Sequence, residues 1–377
     1  MGFLIVPLAL TASLFSFIWY PLATWLITTN QFITLILLKV IAFFSSFSFA
    51  SFFVSTPTGL EIVLFYLLLF SAVHLRKTGK LRYLWIGLCL VLVLDLAYWN
   101  LKDRFKKDLT LTFLDVGHGD SILVEFPKGR RMLIDGGGSY DDRFDMGKNV
   151  IAPFLWNHKI RRIDYLVLTH PDPDHLKGLN FIASHFRIGQ FWGTGLRTGS
   201  ESYLHFEKTL EEREIETLVL NDRTPPLGVE GVVVSFLNPP KIAELHRVSQ
   251  DRNLLNNSSL VMRLQFRNVS LLLAADIGQE TEYRMMREGY LIKSDLLKIP
   301  HHGSASSSSP AFLERVKPTY AILSVGEGNI GNLPNQEVMK RYRQIGSKIF
   351  RTDRHGAITV ITDGEKIEIR PFLNSGY

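Results

Sequence analysis

One short segment constrains the fold of this chain more than any other. It reads Thr169-His170-Pro171-Asp172-Pro173-Asp174-His175, and it follows a run over residues 163–168 that is typical of a buried strand. Imidazoles and carboxylates are ligands for divalent metals, and the two prolines stiffen the loop that holds them. The alternative is a polar turn, since Asp and Pro are common in turns. We interpret the segment as a metal site at the end of a strand.

Three further strand patterns also end in candidate ligands. One ends at Asp135, which three glycines follow, and another ends at Asp276. A third ends in His301-His302-Gly303-Ser304. Open metallohydrolase sites need ligands from several strand ends that meet at one place. The sequence therefore predicts that these four strand ends lie at one edge of the fold.

The first hundred residues contain four long apolar runs, over residues 3–28, 32–54, 60–75 and 83–99. Their lengths approach or exceed the roughly 17 to 25 residues that cross a bilayer. A signal peptide has a single such run, so we predict a multi-pass membrane segment over residues 1–107 and a second domain over residues 108–377. The basic loop over residues 76–82 favours a cytoplasmic position for that loop, which would place the second domain outside the cytoplasm.

After residue 108 the pattern changes to short strands that alternate with amphipathic segments, as expected for an α/β domain. Strand patterns lie over residues 109–115, 121–126, 131–135, 231–237, 258–266, 320–325, 357–362 and 366–370. Helix patterns lie over residues 145–157, 175–185, 278–288 and 336–345. Two sheets packed face to face, with helices outside, would bury such a set.

These residues also show a family resemblance. The pattern His170-x-Asp172-x-Asp174-His175 resembles the metal motif of the metallo-β-lactamase superfamily. Together with Asp115-Val116-Gly117-His118-Gly119-Asp120-Ser121, Leu133-Ile134-Asp135-Gly136-Gly137, Asn257-Ser258-Ser259-Leu260-Val261 and His301-His302-Gly303-Ser304, it resembles ComEC, the family of membrane channels of bacterial DNA uptake. The resemblance covers residues 108–370, and the apolar segment is similar to the end of that family's competence domain. It implies an αββα metallo-β-lactamase-like sandwich preceded by membrane helices, in a multi-pass protein of the bacterial inner (cytoplasmic) membrane.

The resemblance also implies a set of site residues. The site residues themselves predict one or two divalent ions, of manganese, zinc or magnesium, with Asp174 orienting the attacking water and whichever of His301 and His302 is not a ligand, here taken as His302, protonating the leaving oxygen. Either His301 or His302 can be the ligand, and the sequence leaves this open. The metal ligands that we expect are His170, Asp172, Asp174, His175, Asp276 and His301. The other residues that we expect to line the site are Asp115, His118, Asp120, Asp135, Asn257, Ser258 and Ser304.

The chain departs from the family pattern at several positions. His118 stands where the family usually has Gln, and we interpret it as a change of one polar group for another. No His stands at the superfamily's third motif, where Asn256, Asn257 and Ser258 lie. The segment Leu333-Pro334-Asn335 replaces the family's H-P-H. The chain also begins inside the competence domain, so we expect a truncated or split member.

Composition gives little support for nucleic-acid binding. Half of the formal net charge of +6 lies in residues 1–99, so the second domain has no strong basic stripe. The expected function, a membrane-tethered nuclease that hydrolyses the non-transported DNA strand, follows from the resemblance. The alternatives are a non-catalytic channel component and another hydrolase of the superfamily. The expected partners are single-stranded or double-stranded DNA, membrane lipid, and other uptake components or a separate chain that carries the missing helices.

Overall fold

The structure, a computed structural model, describes residues 2–47, 49–74, 80–138, 144–241, 251–329 and 331–373. It has two compact units, Met1–Val54 and Ser55–Tyr377. Most of the basic loop on which the membrane orientation depends lies outside the described residues. The predicted division after residue 107 falls between the last apolar helix and the first strand, and it stays a prediction.

Helices account for the apolar segment and for both outer faces of the second unit. Those in the described residues are α1 (Gly2–Ser16), α2 (Tyr20–Ser45), α3 (Gly59–His74), α4 (Lys80–Leu101), α5 (Ala152–Asn157), α6 (Pro173–His185), α7 (Glu201–Glu212), α8 (Arg252–Asn257), α9 (Gln279–Arg287), α10 (Pro310–Val316), α11 (Gln336–Gln344) and α12 (Thr352–His355).

Two of the apolar helices described are long and apolar enough to cross a membrane, by length and composition. They span Tyr20–Ser45 and Arg82–Phe105. In each helix, none of the residues in the most apolar stretch is buried inside the protein. The helices Phe3–Ser16 and Gly59–Val73 are apolar but shorter. The first helix ends at Ser16 and the second begins at Tyr20, with Pro21 in its first turn, so the helices do not coincide with the apolar runs over residues 3–28 and 32–54.

Strands form two sheets, both within the second unit. The described strands are β1 (Leu109–Phe113), β2 (Ile122–Glu125), β3 (Arg131–Ile134), β4 (Arg162–Val167), β5 (Arg187–Gly193), β6 (Glu216–Val219), β7 (Leu227–Val229), β8 (Val232–Asn238), β9 (Val261–Phe266), β10 (Val269–Leu273), β11 (Leu296–Lys298), β12 (Tyr320–Leu323), β13 (Lys348–Arg351), β14 (Ile358–Thr362) and β15 (Ile367–Pro371). The first sheet has the order β15-β14-β1-β2-β3-β4-β5-β6, and the second has the order β13-β12-β11-β10-β9-β8-β7.

The two sheets enclose one apolar layer, and helices cover their outer faces. Phe113 and Trp192 of the first sheet share a buried cluster with Phe236 and Leu271 of the second. Side chains of α5, α6 and α7 pack with the outer face of the first sheet, and those of α9, α10 and α11 pack with the second. This is the αββα sandwich that the sequence predicted.

The start of α6 lies unusually close to the end of β3. A Cβ atom added at Gly178 would lie 2.0 Å from the carbonyl oxygen of Gly136 and 2.9 Å from the nitrogen of Gly147. The Gly136 nitrogen donates to the carbonyl oxygen of His175 at 2.6 Å. Because only glycine allows this approach, Gly178 fixes the distance between the His-rich loop and the β3 end.

We expect Gly178→Ala to destabilise the protein by about 2 kcal/mol, because the added methyl group must displace the backbone of Gly136. In an ordinary helix the same change stabilises by about 0.5–1 kcal/mol. Gly87→Ala in α4 is the matched control, since its Cβ would meet nothing within 4 Å. Chemical unfolding of both variants in detergent measures the difference. Equal stability of Gly178→Ala and wild type would contradict this packing.

Candidate metal centre

The centre begins where β3 and β4, which are parallel neighbours, reach their carboxyl ends. Asp135 follows β3 with a φ of 59° and accepts hydrogen bonds from the nitrogen and Oγ1 of Thr169, at 2.8 and 2.7 Å. Its Oδ2 also lies 2.8 Å from Nδ1 of His175. One buried carboxylate thus fixes both the strand end and an imidazole of the following helix.

Four buried side chains converge next to this carboxylate. Oδ2 of Asp276, from the loop after β10, lies 3.3 Å from Nε2 of His175 and 3.1 Å from Nε2 of His302. Oδ2 of Asp174 lies 3.6 Å from the same His302 nitrogen. Ligand atoms of these four residues all lie within 4.8 Å of one another. They come from the start of α6, which follows β4, and from the loops after β10 and β11; with Asp135 at the end of β3 in contact with His175, all four predicted strand ends meet here.

Two imidazole rings, of His175 and His302, belong to this cluster, and the ring of His170 packs against that of His175 with ring centroids 4.1 Å apart. Nδ1 of His170 lies 3.1 Å from Oγ1 of Thr169, and Nδ1 of His302 donates to the carbonyl oxygen of Ser324 at 2.9 Å. Their Nε2 atoms, and that of His175, are buried and have no hydrogen-bond partner among the residues that the structure describes. Metal-binding His side chains are commonly held through the other ring nitrogen, which leaves one nitrogen for the ion. The residues therefore fit the divalent metal that such a donor set requires.

The electrostatics of the cluster also favour a cation. Burial alone would lower the pKa of His302, but the carboxylates of Asp276 and Asp174 raise it to about 10. Burial raises the pKa of Asp172 to about 6, and the nearby Asp174 charge contributes. Crowded carboxylates thus draw protons onto neighbouring groups. Metal binding would replace such protons, because coordinating imidazoles must be neutral.

A buried lysine, which the sequence reasoning missed, lies beside the cluster. Lys298 in β11 is 1% exposed, and its Nζ contacts the Asp120 carboxylate. The same Nζ lies 3.2 Å from Oδ1 of Asp276 and donates to the carbonyl oxygen of Ala275 at 3.0 Å. Asp120 also belongs to a second group of candidate ligands, with Asp135 and His175. The available signal was a single charged residue within the apolar run Leu296-Leu297-Lys298-Ile299.

The two neighbouring histidines after β11 have different surroundings. His301 lies outside both ligand groups of the described residues. Its Nε2 is 3.3 Å from Nδ2 of Asn256, and its Nδ1 is 3.2 Å from Oγ of Ser306. From the sequence, His301 was the expected ligand and His302 the expected proton donor, although the choice between the two was left open. The geometry favours His302 as the ligand, because the Ser324 carbonyl group turns its free nitrogen toward Asp276.

Other predicted residues lie at the margin of the cluster. Nε2 of His118 is 3.7 Å from Oδ2 of Asp174, and a third of this His side chain is exposed. Oδ2 of Asp172 lies 4.0 Å from Nε2 of His170, outside both ligand groups of the described residues. Asp115 is exposed and accepts from the nitrogen of Gly117. Asp115 is therefore not brought into the cluster.

The remaining predicted residues hold the surrounding loops. Oδ1 of Asn257 accepts from the nitrogen of Gly278 at 3.0 Å, two residues after Asp276. Ser258 is buried at the end of α8, and Ser304 is hydrogen-bonded to Ser306, the neighbour of His301. Their contacts position ligand-bearing loops, and the assignment of individual site residues stays a prediction.

Comparison with known proteins assigns the family. The model of the metallo-beta-lactamase superfamily matches residues 114–327, which is more than half of the chain. The chain belongs to the metallo-β-lactamase superfamily. The competence protein family matches residues 1–78. The combination confirms the resemblance to ComEC proteins that the sequence motifs indicated.

Curated relatives agree with this assignment. The chain is 30% identical over 305 residues to ComE operon protein 3 of Bacillus subtilis (strain 168), covering 78% of this chain and 37% of that protein. It is 29% identical over 255 residues to competence protein ComA of Neisseria gonorrhoeae, covering 67% of this chain and 32% of that protein. The chain thus spans about a third of the length of these relatives.

Among solved structures, the chain is similar to CmlA, a diiron beta-hydroxylase from Streptomyces venezuelae. The sequence identity is 18% and the TM-score is 0.43, over 67% of this chain and 53% of that chain.

We expect Lys298→Met to destabilise the metal-free protein by about 3 kcal/mol, because it leaves two buried carboxylates without their cation. The loss should be smaller in metal-loaded protein, where the bound ion supplies compensating charge. Thermal unfolding with and without manganese measures both values, and Lys293→Met, at an exposed position, is the control. An equal loss in both states would show that Lys298 does not share carboxylates with the ion.

Proposed function

We propose that this protein is a membrane-tethered, metal-dependent nuclease of bacterial DNA uptake, which hydrolyses phosphodiester bonds of the non-transported strand. The observation that supports the proposal most directly is the pair of buried Nε2 atoms of His175 and His302 beside Asp276, which have no hydrogen-bond partner among the described residues. Buried polar groups without partners are rare in proteins unless a ligand completes them. The competence segment, together with the names of the curated relatives, suggests DNA as the substrate.

We assign the ligand role to His170, Asp174, His175, Asp276 and His302. A divalent ion held by them would act as a Lewis acid and stabilise the charge that develops on the phosphoryl oxygens. The three imidazoles suit zinc or manganese, and the two carboxylates also admit magnesium. Lys298 would act as a positioning residue, because its Nζ contacts the carboxylates of both Asp120 and Asp276.

The chain's own side chains would orient the reacting groups. Asp174 is a member of the cluster, where its carboxylate could accept a hydrogen bond from the attacking water and direct the water oxygen at phosphorus. As the new phosphorus–oxygen bond forms, the bond to the leaving oxygen breaks, and that oxygen takes up a proton. With His302 held as a ligand, we place this proton transfer at the open rim, near His118.

We also propose that α2 and α4 anchor the protein in the inner membrane and that the sheet domain lies outside the cytoplasm. Their apolar length supports this placement. In the second unit, the sheet domain is joined to the segment around α3 and α4 by polar contacts. Arg161 Nε donates to Ser55 Oγ at 2.8 Å, Arg131 pairs with Asp103, and Lys159 pairs with Glu61. The partners that we propose are DNA, membrane lipid and other uptake components.

We expect Asp174→Ala to reduce cleavage of labelled single-stranded DNA on the order of a hundredfold or more, because it removes both a ligand and the group that orients water. The whole chain, purified in detergent, should be assayed with manganese, magnesium and zinc at equal concentration. Glu314→Ala removes an exposed carboxylate of α10 and is the matched control, with unchanged cleavage expected.

Three results would overturn the proposal. If the wild-type protein cleaves DNA with none of the metals, the chain is better explained as a non-catalytic channel component. If Asp174→Ala cleaves as fast as wild type, the reaction does not take place at this cluster. Cleavage of a small ester or lactam in place of DNA would assign the site to another hydrolase of the superfamily.

A further inference from the structure

A cavity of about 990 Å³ lies beside α11, and its wall is basic. The charged side chains that line it are Lys340, Arg343, Arg351, Arg354 and one acid, Glu337. They come from α11, from β13 and from α12, so no single stretch of sequence shows the cluster. The cavity therefore has a local excess of positive charge that the modest net charge of the chain conceals.

Two of these cations are available for a ligand. Arg351 is held by the Asp353 carboxylate through two hydrogen bonds, at 3.0 and 2.6 Å. Lys340 lies 3.8 Å from Glu337. Arg343 and Arg354 are exposed, and in the part of the chain that the structure describes they form no ion pair. Two unpaired guanidinium groups on one cavity are suited to bind phosphate, which they can contact with two parallel hydrogen bonds.

The cavity shares a wall with the metal cluster. Its lining includes Leu333, Pro334 and Asn335, and the nitrogen of Asn335 donates to the carbonyl oxygen of Gly303 at 2.9 Å. Gly303 follows His302 directly, and a Cβ atom there would lie 2.7 Å from Cβ of Pro334. The loop that replaces the family's H-P-H segment is therefore the partition between the basic cavity and a candidate ligand.

The same loop also reaches the other side of the cluster. Nδ2 of Asn329 donates to the carbonyl oxygens of Gly326 and Leu333, at 3.0 and 2.8 Å. Gly326 packs against the backbone of His118, since a Cβ atom at Gly326 would lie 2.6 Å from the His118 nitrogen. An occupant of the cavity thus lies next to the loop that packs on His118, whose side chain is one third exposed at the margin of the cluster.

We propose that this cavity binds the sugar-phosphate backbone of a single DNA strand, whose neighbouring phosphodiester lies at the metal cluster. The choice of DNA rests on the proposed function, while the choice of a polyanion follows from the charges. A chain of phosphates can contact Arg343 and Arg354 and continue past the shared wall into the cluster. Contacts of this kind position a strand without reading its sequence.

The test is binding in the absence of cleavage. A fluorescent oligothymidylate of about 20 nucleotides is titrated with the whole chain in detergent and EDTA, at several salt concentrations from about 50 to 200 mM. We expect the double variant Arg343→Ala/Arg354→Ala to bind about tenfold more weakly at the lowest salt concentration. The slope of log K against log salt should also fall in magnitude by about 1.4, because each phosphate contact on a single strand releases about 0.7 counter-ion.

The control removes the same charge elsewhere. Arg287→Ala/Arg315→Ala changes two exposed arginines of α9 and α10 that do not line the cavity, and it should keep the wild-type slope. An unchanged slope in the Arg343→Ala/Arg354→Ala variant, or an equal change in the control, would overturn the proposal. Displacement of the oligonucleotide by inorganic phosphate, beyond its effect on ionic strength, would also overturn it in favour of a small-anion site.

This outcome is separable from that of the proposed nuclease activity. The EDTA assay measures binding without a metal ion, whereas cleavage requires the ion, so the cavity and the nuclease proposal can fail independently. Salt-dependent binding through Arg343 and Arg354 without cleavage by any metal would refute the nuclease but support the cavity. Cleavage by the wild-type protein, together with an unaltered salt slope in the double variant, would support the nuclease and refute the cavity.

Discussion

The contacts of Asp276 connect the two halves of the sandwich. The carboxylate belongs to the second sheet, and it lies between His175, from the helix on the first sheet, and His302, from the loop after β11. Lys298 contacts its other oxygen. Burial of several carboxylates in one place is strongly unfavourable unless cations compensate them. The lysine supplies one compensating charge, and the arrangement of the imidazoles is suited to an ion that supplies more.

This requirement explains why the loops around the cluster are so closely packed. Asp135 fixes the ring of His175 through Nδ1, and Ser324 fixes the ring of His302 in the same way. Gly178 lets α6 approach β3, which sets the height of the His-rich loop above the sheet. The geometry of the centre thus depends on backbone contacts of residues that do not themselves contact an ion.

Sequence reasoning predicted the fold and the meeting of strand ends, because apolar strand patterns and polar strand ends are local signals. It could not separate His301 from His302, since the difference comes from Ser324, Asn256 and Ser306. Two of these partners are distant in sequence. It missed β5 and β6 of the first sheet, and β6 is an edge strand with little burial. The basic cavity could not be predicted from the sequence for a similar reason. Its cations come together only when α11 packs beside β13.

The apolar segment shows where composition misleads about boundaries. Phe17 to Trp19 are as apolar as their neighbours, so a run of apolar residues continues through a helix break. Pro21 was the available signal, because proline favours the first turn of a helix. Length and hydropathy predicted apolar helices here, and the number that crosses a bilayer stays a prediction.

The account depends most directly on the identity of the atoms that bind metal. Anomalous X-ray diffraction from crystals of the manganese-loaded protein would locate them. We expect a peak about 2.0–2.3 Å from Nε2 of His302 and of His175, with an oxygen of Asp276 also in the coordination sphere. A peak at His301 and Asn256 instead, or no peak within the cluster at saturating manganese, would contradict the account.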